Sequence, residues 1–443
     1  MKPVLQLALD FVNLDQALRV AREAVAGGAE WLEAGTPLIK SEGLDAVRAL
    51  RREFPAATIV ADMKIMDAGR METEAAAKAG ANVVHVLGLA SDSTIRECIE
   101  AARRYDSRIA VDLVGLDNTE TIVQRAVQAE AMGAAYVCVH TPIDLQMQGQ
   151  VPFRDLEAVA SRVSIPVAVA GGINSETAAD AIKAGATIVI VGGAITKSPD
   201  AKAATETMLR AVSKGVSVET HLFKRGTAAG IAEVLAKTSA ADVTEALHNA
   251  GALEGINAIV SGAKMAGPAL TVWTYPGDWA KPVEAIDQAQ PGQVLVIDAG
   301  GRPPAVWGEK ATMSCLQRKL AGVVIDGAIR DVGNIRRMGF PAFARLVTPV
   351  AGEPKGQGVI GVSVSIGGQY IRTGDWVIGD DDGVVVIPQE RLVEVANRAQ
   401  AVVEREEREM AEIEDGSTLG KVSELIKWEQ LGKGTDGKSK GKA

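Results

Sequence analysis

Short apolar runs alternate with helix-patterned segments at a steady pace through the first 212 residues, and this periodicity constrains the chain more than anything else in it. The runs are Leu5–Leu9, Trp31–Gly35, Thr58–Lys64, Val83–Gly88, Arg108–Gly115, Tyr136–Thr141, Val167–Ile173 and Ile188–Ile195. Between them lie stretches such as Leu14–Ala26, Glu72–Ala79, Thr119–Met132 and Ser175–Ala184, apolar at helical spacing. Gly28-Ala29, Gly80-Ala81, Gly133-Ala134 and Gly185-Ala186 each precede a run, as expected where a glycine stops a helix and the chain turns into a strand. Eight βα units in about 210 residues predict a closed (β/α)8 barrel. An open doubly wound sheet would carry a glycine-rich fingerprint after its first strand, and Leu9-Asp10-Phe11 is not one.

The chain has 443 residues, too many for one ordinary core. The pattern breaks at residues 213–230, which read as a linker. A second region, residues 231–410, opens with a helix over Thr238–Ala250, capped by Ser239 or Thr238. Strands follow at Ala269–Tyr275, Gln293–Asp298, Gly322–Asp326, Ala342–Leu346, Gly361–Ile366, Asp375–Gly379 and Gly383–Pro388, predicting a separate mixed α/β domain. Leu392–Ile413 reads as a charged helix, residues 411–443 as its end and a C-terminal extension, and Gly432–Ala443 as a disordered tail.

Composition removes several classes of function. A net charge of −9 without a long Lys/Arg run argues against nucleic acid or an anionic membrane as partner. Cys98, Cys138 and Cys315 have no CxxC spacing and read as reduced thiols rather than disulfides or a zinc site. With no leader pattern and no apolar stretch of about 20 residues, a soluble cytoplasmic protein is expected.

Barrel active sites form at the carboxy ends of the strands. Those ends carry Asp10, Glu33, Asp62 with Lys64, His85, Asp112, His140, and the pairs Gly171-Gly172 and Gly192-Gly193. A lone His85 or Asp112 is more readily a satisfied polar group, but the whole ring is not. Asp62 and Lys64, two apart on a strand, share a face and bracket an oxygen that becomes negative. Glu33, on the neighbouring strand, adds a second carboxylate, and such a pair suits Mg2+. The glycine pairs end the last two strands, where barrels bind phosphate through backbone N–H groups.

Leu7-Ala8-Leu9-Asp10, Glu33-Ala34-Gly35-Thr36-Pro37-Leu38-Ile39, Asp62-x-Lys64-x-x-Asp67 and Gly192-Gly193-Ala194-Ile195-Thr196 resemble the 3-hexulose-6-phosphate synthases, orotidine-monophosphate-decarboxylase-like barrels, over residues 1–212. The resemblance implies Mg2+-dependent addition of formaldehyde to D-ribulose 5-phosphate. It implies that Glu33 and Asp62 hold the metal, Lys64 stabilises an enediolate and His140 moves the C1 proton. It also implies that Asp67 enters a neighbouring subunit's site, making the barrel a dimer. The sister 3-keto-L-gulonate-6-phosphate decarboxylases carry an Arg shortly after the catalytic His and another in the last phosphate loop. Here His140-Thr141-Pro142 and Gly192-Gly193-Ala194 have neither, although Pro142 replaces an expected glycine.

In the second region, Trp307-Gly308-Glu309-Lys310 precedes Asp326-Gly327-Ala328-Ile329-Arg330-Asp331, with twenty residues between Glu309 and Arg330. Arg binds a carboxylate with two parallel N–H groups and an adjacent Asp can hold a hard metal, although a turn with a salt bridge gives the same pattern. Residues from about 235 to 400 resemble the family shared by 4-hydroxy-4-methyl-2-oxoglutarate aldolase and the regulator of ribonuclease activity A. The resemblance rests on Gly262–Gly267, Asp298-Ala299-Gly300-Gly301, Gly322–Asp331, Gly339-Phe340-Pro341-Ala342-Phe343 and Gly374-Asp375. In the aldolase branch it implies that Arg330 binds a 2-oxo acid's carboxylate, Asp331 anchors Mg2+ and Glu309 handles water or a proton, in a trimer or hexamer. The other branch regulates a ribonuclease without catalysis.

Overall fold

The computed structural model describes residues 3–220, 224–226 and 230–423, so the tail expected at Gly432–Ala443 lies outside the described residues. Two compact units form. One takes in the chain to 146, residues 150–225 and those from 404 on; the other takes in 147–149 and 226–403.

The first unit is a closed parallel barrel of β1 (Val4–Leu9), β2 (Trp31–Ala34), β3 (Thr58–Ile65), β4 (Val83–Leu87), β5 (Arg108–Asp112), β6 (Tyr136–His140), β7 (Val167–Ala170) and β8 (Ile188–Val191). β8 closes on β1 with Val4 opposite Ile188. The eight expected runs are these eight strands. The helices before β4 and β6 end at Gly80 and Gly133 with φ of 110° and 96°, and Ala81 and Ala134 donate back to the carbonyls of Ala76 and Ala129. That is the left-handed stop the Gly-Ala pairs predict.

Alternation along each strand sorts the barrel's two surfaces. Leu7, Leu9, Ile59, Ala61, Val84 and Val86 point outward into the layer beneath the helices. Ala8, Val60, Val83, Ala110, Cys138, Ala168 and Ile188, with Tyr136, fill the inside. Because the filling is mostly small, it leaves the upper end of the barrel to polar side chains.

The second unit holds β9 (Asn257–Ala258), β10 (Met265–Thr274), β11 (Val294–Asp298), β12 (Ala305–Trp307), β13 (Gly322–Ile329), β14 (Ala342–Val347), β15 (Gly358–Ile360), β16 (Val364–Ile366), β17 (Gln369–Ile371), β18 (Trp376–Asp380) and β19 (Gly383–Ile387). Its sheet runs β19-β18-β10-β11-β13-β14-β9, with β12 on β13 and β15 on β10. β10, β11, β13 and β14 pair in parallel, while β18, β19, β15 and β9 join antiparallel. Leu295 and Ile297 face one core, Val294 and Val296 the other.

Local details depart from expectation. The strand expected over Gly361–Ile366 shortens to β16, which pairs with β17. The helix expected over Thr238–Ala250 covers Ala240–Ala246. Ser239 and Asp242 form a capping box at its start, and His248 and Asn249, with φ of 59° and 62°, follow its end. No helix among the described residues is long and apolar enough to cross a membrane. The three cysteines are buried free thiols.

Phe343 of β14 is fully buried, its ring packed where a side chain on Gly379 would clash at 2.8 Å. Phe343→Ala is expected to destabilise the second unit by about 3–5 kcal/mol, measured as an earlier denaturant midpoint of that unit's unfolding. A cost below about 1 kcal/mol would show that the site collapses around the loss.

Candidate active site

The barrel's polar ring closes over a cavity of about 740 Å3. Asp10, Glu33, Asp62, Lys64, His85 and His140 all line it, as do Gly171, Gly172, Gly192 and Gly193. Ten side chains or backbone positions read from strand ends therefore converge on one space.

Its organising group is Asp112, the last residue of β5. One oxygen, Oδ2, accepts from Lys64 Nζ at 3.1 Å and from His140 Nδ1 at 3.0 Å. Lys64 also lies 2.9 Å from Asp62 Oδ2. Simple alternation along β3 does not produce this arrangement. Pairing with β4 shifts register between Ala61 and Ile65, and Lys64 takes a left-handed backbone with φ of 48°. A left-handed lysine is costly and persists where surrounding contacts hold it, and here two carboxylates do so.

Asp62 is also held by Thr36, whose hydroxyl donates to Oδ2 at 2.7 Å, and by His85 Nδ1, 3.5 Å from Oδ1. His85 meets the Tyr136 hydroxyl through Nε2 at 3.0 Å. Glu33 is buried and accepts from Gln6 Nε2 at 2.5 Å. Gly35 belongs to the same design: a side chain there would strike Asp10 Oδ1 at 2.2 Å.

Burial alone would raise Asp62, but His85, Lys64 and Thr36 more than compensate and hold it well below the usual carboxylate range. Asp112 is similarly brought down to about 2 against its burial, by His140 and Lys64. Burial would pull Lys64 down, and Asp112 and Asp62 instead lift it above an ordinary lysine. His140 is raised because Asp112 outweighs its burial. Glu33 goes the other way, pushed up to about 7 by burial and then by the charge on Asp62. Asp10 is raised by loss of bulk solvent around it and by Asp62, although its carboxylate still opens to the cavity.

Asp62, His85 and Asp112 each bring a ligand-type atom within 4.8 Å of the others, and Asp112, Cys138 and His140 do the same. Glu33 stands in neither group. Asp67 lies exposed, outside its own barrel's cavity lining. Asp112 and His85 matter more here than their residue types alone suggest. Residue type alone does not single out Gln6, Thr36 or Gln146, the last of which lines the cavity and donates to the Thr141 carbonyl at 2.7 Å. A glutamine inside an otherwise apolar run, Leu5–Leu9, was the available signal for Gln6.

The second unit brings its three candidates to one corner. Arg330 follows β13, and its Nε donates to both Asp331 oxygens at 3.1 and 3.2 Å. Asp331 is left-handed, with φ of 59°. Glu309 N–H donates to Asp331 Oδ2 at 3.4 Å, while the Glu309 carboxylate accepts from Asn334. A side chain on Gly308 would come within 2.6 Å of Asp331 Oδ2. Nearby, Arg345 forks onto Asp326 at 2.5 and 3.1 Å.

Residues 3–208 match the family model described as orotidine 5'-phosphate decarboxylase / HUMPS family, and residues 240–386 match that described as RraA-like, Aldolase/RraA. A Bacillus subtilis (strain 168) protein named 3-hexulose-6-phosphate synthase is 38% identical over 212 residues, 48% of this chain and 99% of that protein. Its namesake from Mycobacterium gastri is 38% identical over 209 residues, 47% of this chain and 99% of that protein. A solved structure of 3-hexulose-6-phosphate synthase from Salmonella typhimurium is 35% identical, covering 48% of this chain and all of that one, with a TM-score of 0.46.

Glu33 gives the site a testable pH signature. Its ordinary value is 4.5 and its folded value about 7, so the folded protein keeps a proton that the unfolded chain loses. That contribution is full below pH 4.5 and is lost as pH rises through 7. Asp112, at about 2 against 3.8, contributes above 3.8 and loses that contribution as pH falls towards 2. In EDTA, the wild-type thermal midpoint should fall between about pH 5 and 7.5, by the equivalent of roughly a few kcal/mol at most. Glu33→Gln should flatten the slope. An unchanged slope in the variant would place the titration elsewhere.

Proposed function

The chain belongs, through its barrel, to the orotidine 5'-phosphate decarboxylase / HUMPS family, and we propose that this lyase adds formaldehyde to D-ribulose 5-phosphate, giving a 3-hexulose 6-phosphate, or runs the reverse cleavage. The observation that carries this reading is the Lys64–Asp112–His140 chain, which places an ammonium and an oriented imidazole in one cavity.

With Nδ1 bound to Asp112, His140 keeps Nε2 for the substrate. Nε2 takes the C1 proton of ribulose 5-phosphate, and Asp112 stabilises the imidazolium so formed. Lys64 lies beside the developing enediolate, where its fixed positive charge acts without reorganisation. The enediolate's C1 forms a bond to the formaldehyde carbon, and the new alkoxide recovers the proton from His140. The phosphate rests against backbone N–H groups at Gly171, Gly172, Gly192 and Gly193.

The donor set fits a hard dication. Asp10, Glu33, Asp62 and Asp112 meet one ammonium and two imidazoles, and Glu33 and Asp10 are raised in part by neighbouring carboxylate charge. Glu33 and Asp62 are the residues that would hold Mg2+, which when bound supplies Lewis-acid polarisation of the ketose oxygens. Asp67, exposed and outside its own cavity's lining, fits a role across a barrel dimer. The absence of Arg from Gly192-Gly193-Ala194 favours this reaction over decarboxylation of 3-keto-L-gulonate 6-phosphate.

For the RraA-like domain the gathered Glu309, Arg330 and Asp331 support a lyase acting on a 2-oxo acid through a pyruvate enolate. The pair with Asp331 engages Nε of Arg330, so the Nη groups are oriented for a substrate carboxylate. Asp331 would hold Mg2+ and Glu309 would move a proton.

Purified protein given ribulose 5-phosphate, formaldehyde and Mg2+ should consume formaldehyde, and Asp62→Ala should lower kcat by about 10³-fold or more with the fold intact. Retention of more than about a tenth of the wild-type rate would take Asp62 out of the mechanism. At the second domain, Mg2+-dependent pyruvate release from oxaloacetate is expected, with Arg330→Lys raising KM about tenfold because an ammonium lacks the fork. No metal-stimulated release from oxaloacetate or a 4-hydroxy-2-oxo acid would leave the regulatory role of the family's other branch.

A further inference from the structure

The loop that ends β8 is pinned from behind by a residue lying far along the chain. Residues Glu404–Glu414, the end of the helix Leu392–Glu414, belong to the barrel unit. From there the buried Arg408 donates through Nη1 to the carbonyls of Ser198 at 2.7 Å and Pro199 at 3.2 Å. The same guanidinium meets Glu23 of the first barrel helix at 3.0 and 3.2 Å, and its Nε meets Glu412 at 2.9 Å. Glu412 in turn takes Arg19 at 2.6 Å. Two carboxylates and two guanidiniums thus form a neutral box, from which Arg408 Nη1 also reaches the loop carbonyls.

Those carbonyls connect directly to the glycine pair. Ser198 N–H donates to Ile195 carbonyl at 3.1 Å, and Ile195 N–H to Gly192 carbonyl at 2.9 Å. Glu23 also accepts from Ala201 N–H at 3.2 Å, fixing the far side of the loop. Lys197, between these points, lines the cavity beside Gly193 and Thr196. Burial pulls its ammonium down to about 8, opposed chiefly by Glu404, which itself pairs with Arg225 at 3.1 Å.

We propose that Arg408 is a positioning residue for the Gly192–Pro199 loop, and that the barrel's grip on a substrate phosphate is set through it by a helix encoded after the RraA-like domain. The inference rests on placing phosphate at Gly192 and Gly193. Arg408 touches no substrate atom; it fixes the backbone whose N–H groups and Lys197 do. A guanidinium suits this task because its planar fork holds two carbonyls and two carboxylates at once, which an ammonium does not.

The test uses the full-length protein. Arg408→Met should raise both the KM for ribulose 5-phosphate and the calorimetric Kd for inorganic phosphate about tenfold, since small misplacements of a binding group are costly. The KM for formaldehyde and kcat should stay within about threefold, a split that general loss of structure does not give. Glu412→Gln, which keeps the shape and removes one anchor, should weaken phosphate about twofold to threefold and serves where the larger change does not fold. Met410→Ala, exposed on the same helix, is the control and should change neither constant. Folded Arg408→Met and Glu412→Gln proteins with wild-type phosphate affinity and KM would overturn the proposal while leaving the aldol reading intact. Wild-type protein that binds phosphate but consumes no formaldehyde would remove the aldol reading, and loss of that phosphate binding in Arg408→Met would still uphold this one.

Discussion

A single carboxylate oxygen, Asp112 Oδ2, receives both Lys64 and His140, and the rest of the barrel's mouth is arranged by what that oxygen can hold. It draws Lys64 off the regular strand into a left-handed conformation and fixes which nitrogen of His140 faces the cavity. Asp112 is itself anchored, since Oδ1 accepts from Val114 N–H at 3.0 Å. Buried and multiply bonded, it stays ionised where an unpaired carboxylate would take up a proton. Glu33 lies nearby without a cation of its own and is the group that yields. The cavity's charge state is therefore divided unequally by geometry, with Asp62 and Asp112 kept as anions and Glu33 poised near neutrality.

The two units meet their chemistry in similar ways. Each places a charged residue with positive φ at the end of a parallel strand: Lys64 in β3 and Asp331 after β13. In both, the irregular backbone turns a side chain back on an ion partner close in sequence, Asp62 in one and Arg330 in the other. Held strain of this kind persists only where the surrounding contacts over-determine it.

Much of this was legible in the amino-acid sequence. Strand period, Gly-Ala helix stops and polar residues at strand ends are local signals. They located all eight barrel strands and, in the cavity lining, Asp10, Glu33, Asp62, Lys64, His85, His140 and the two glycine pairs. Glu309, Arg330 and Asp331 come together where β12 pairs in parallel with β13, and the twenty-residue spacing is the pattern that marks them in the sequence. What stayed hidden was of another kind. The bulge at Lys64 depends on a register shift that no alternation pattern encodes. Asp112 and His85 look like ordinary polar residues until their partners from other strands are known. Arg408 lies among Glu and Arg residues of a charged helix and reads there as a solvated face, since its partners are 385 residues away in Glu23 and 210 away in Ser198.

The placement of Glu404–Glu414 in the barrel unit also bears on how such a chain can have arisen and can change. Joining two domains end to end is reversible as long as each keeps its own parts. Once a helix encoded after the second domain supplies structure to the barrel, truncation ahead of that domain also removes the helix. Loss of residues 226 onward would leave Glu23 and the Ser198 carbonyl without Arg408. Selection for the barrel alone would then preserve the whole fused frame, the second domain included.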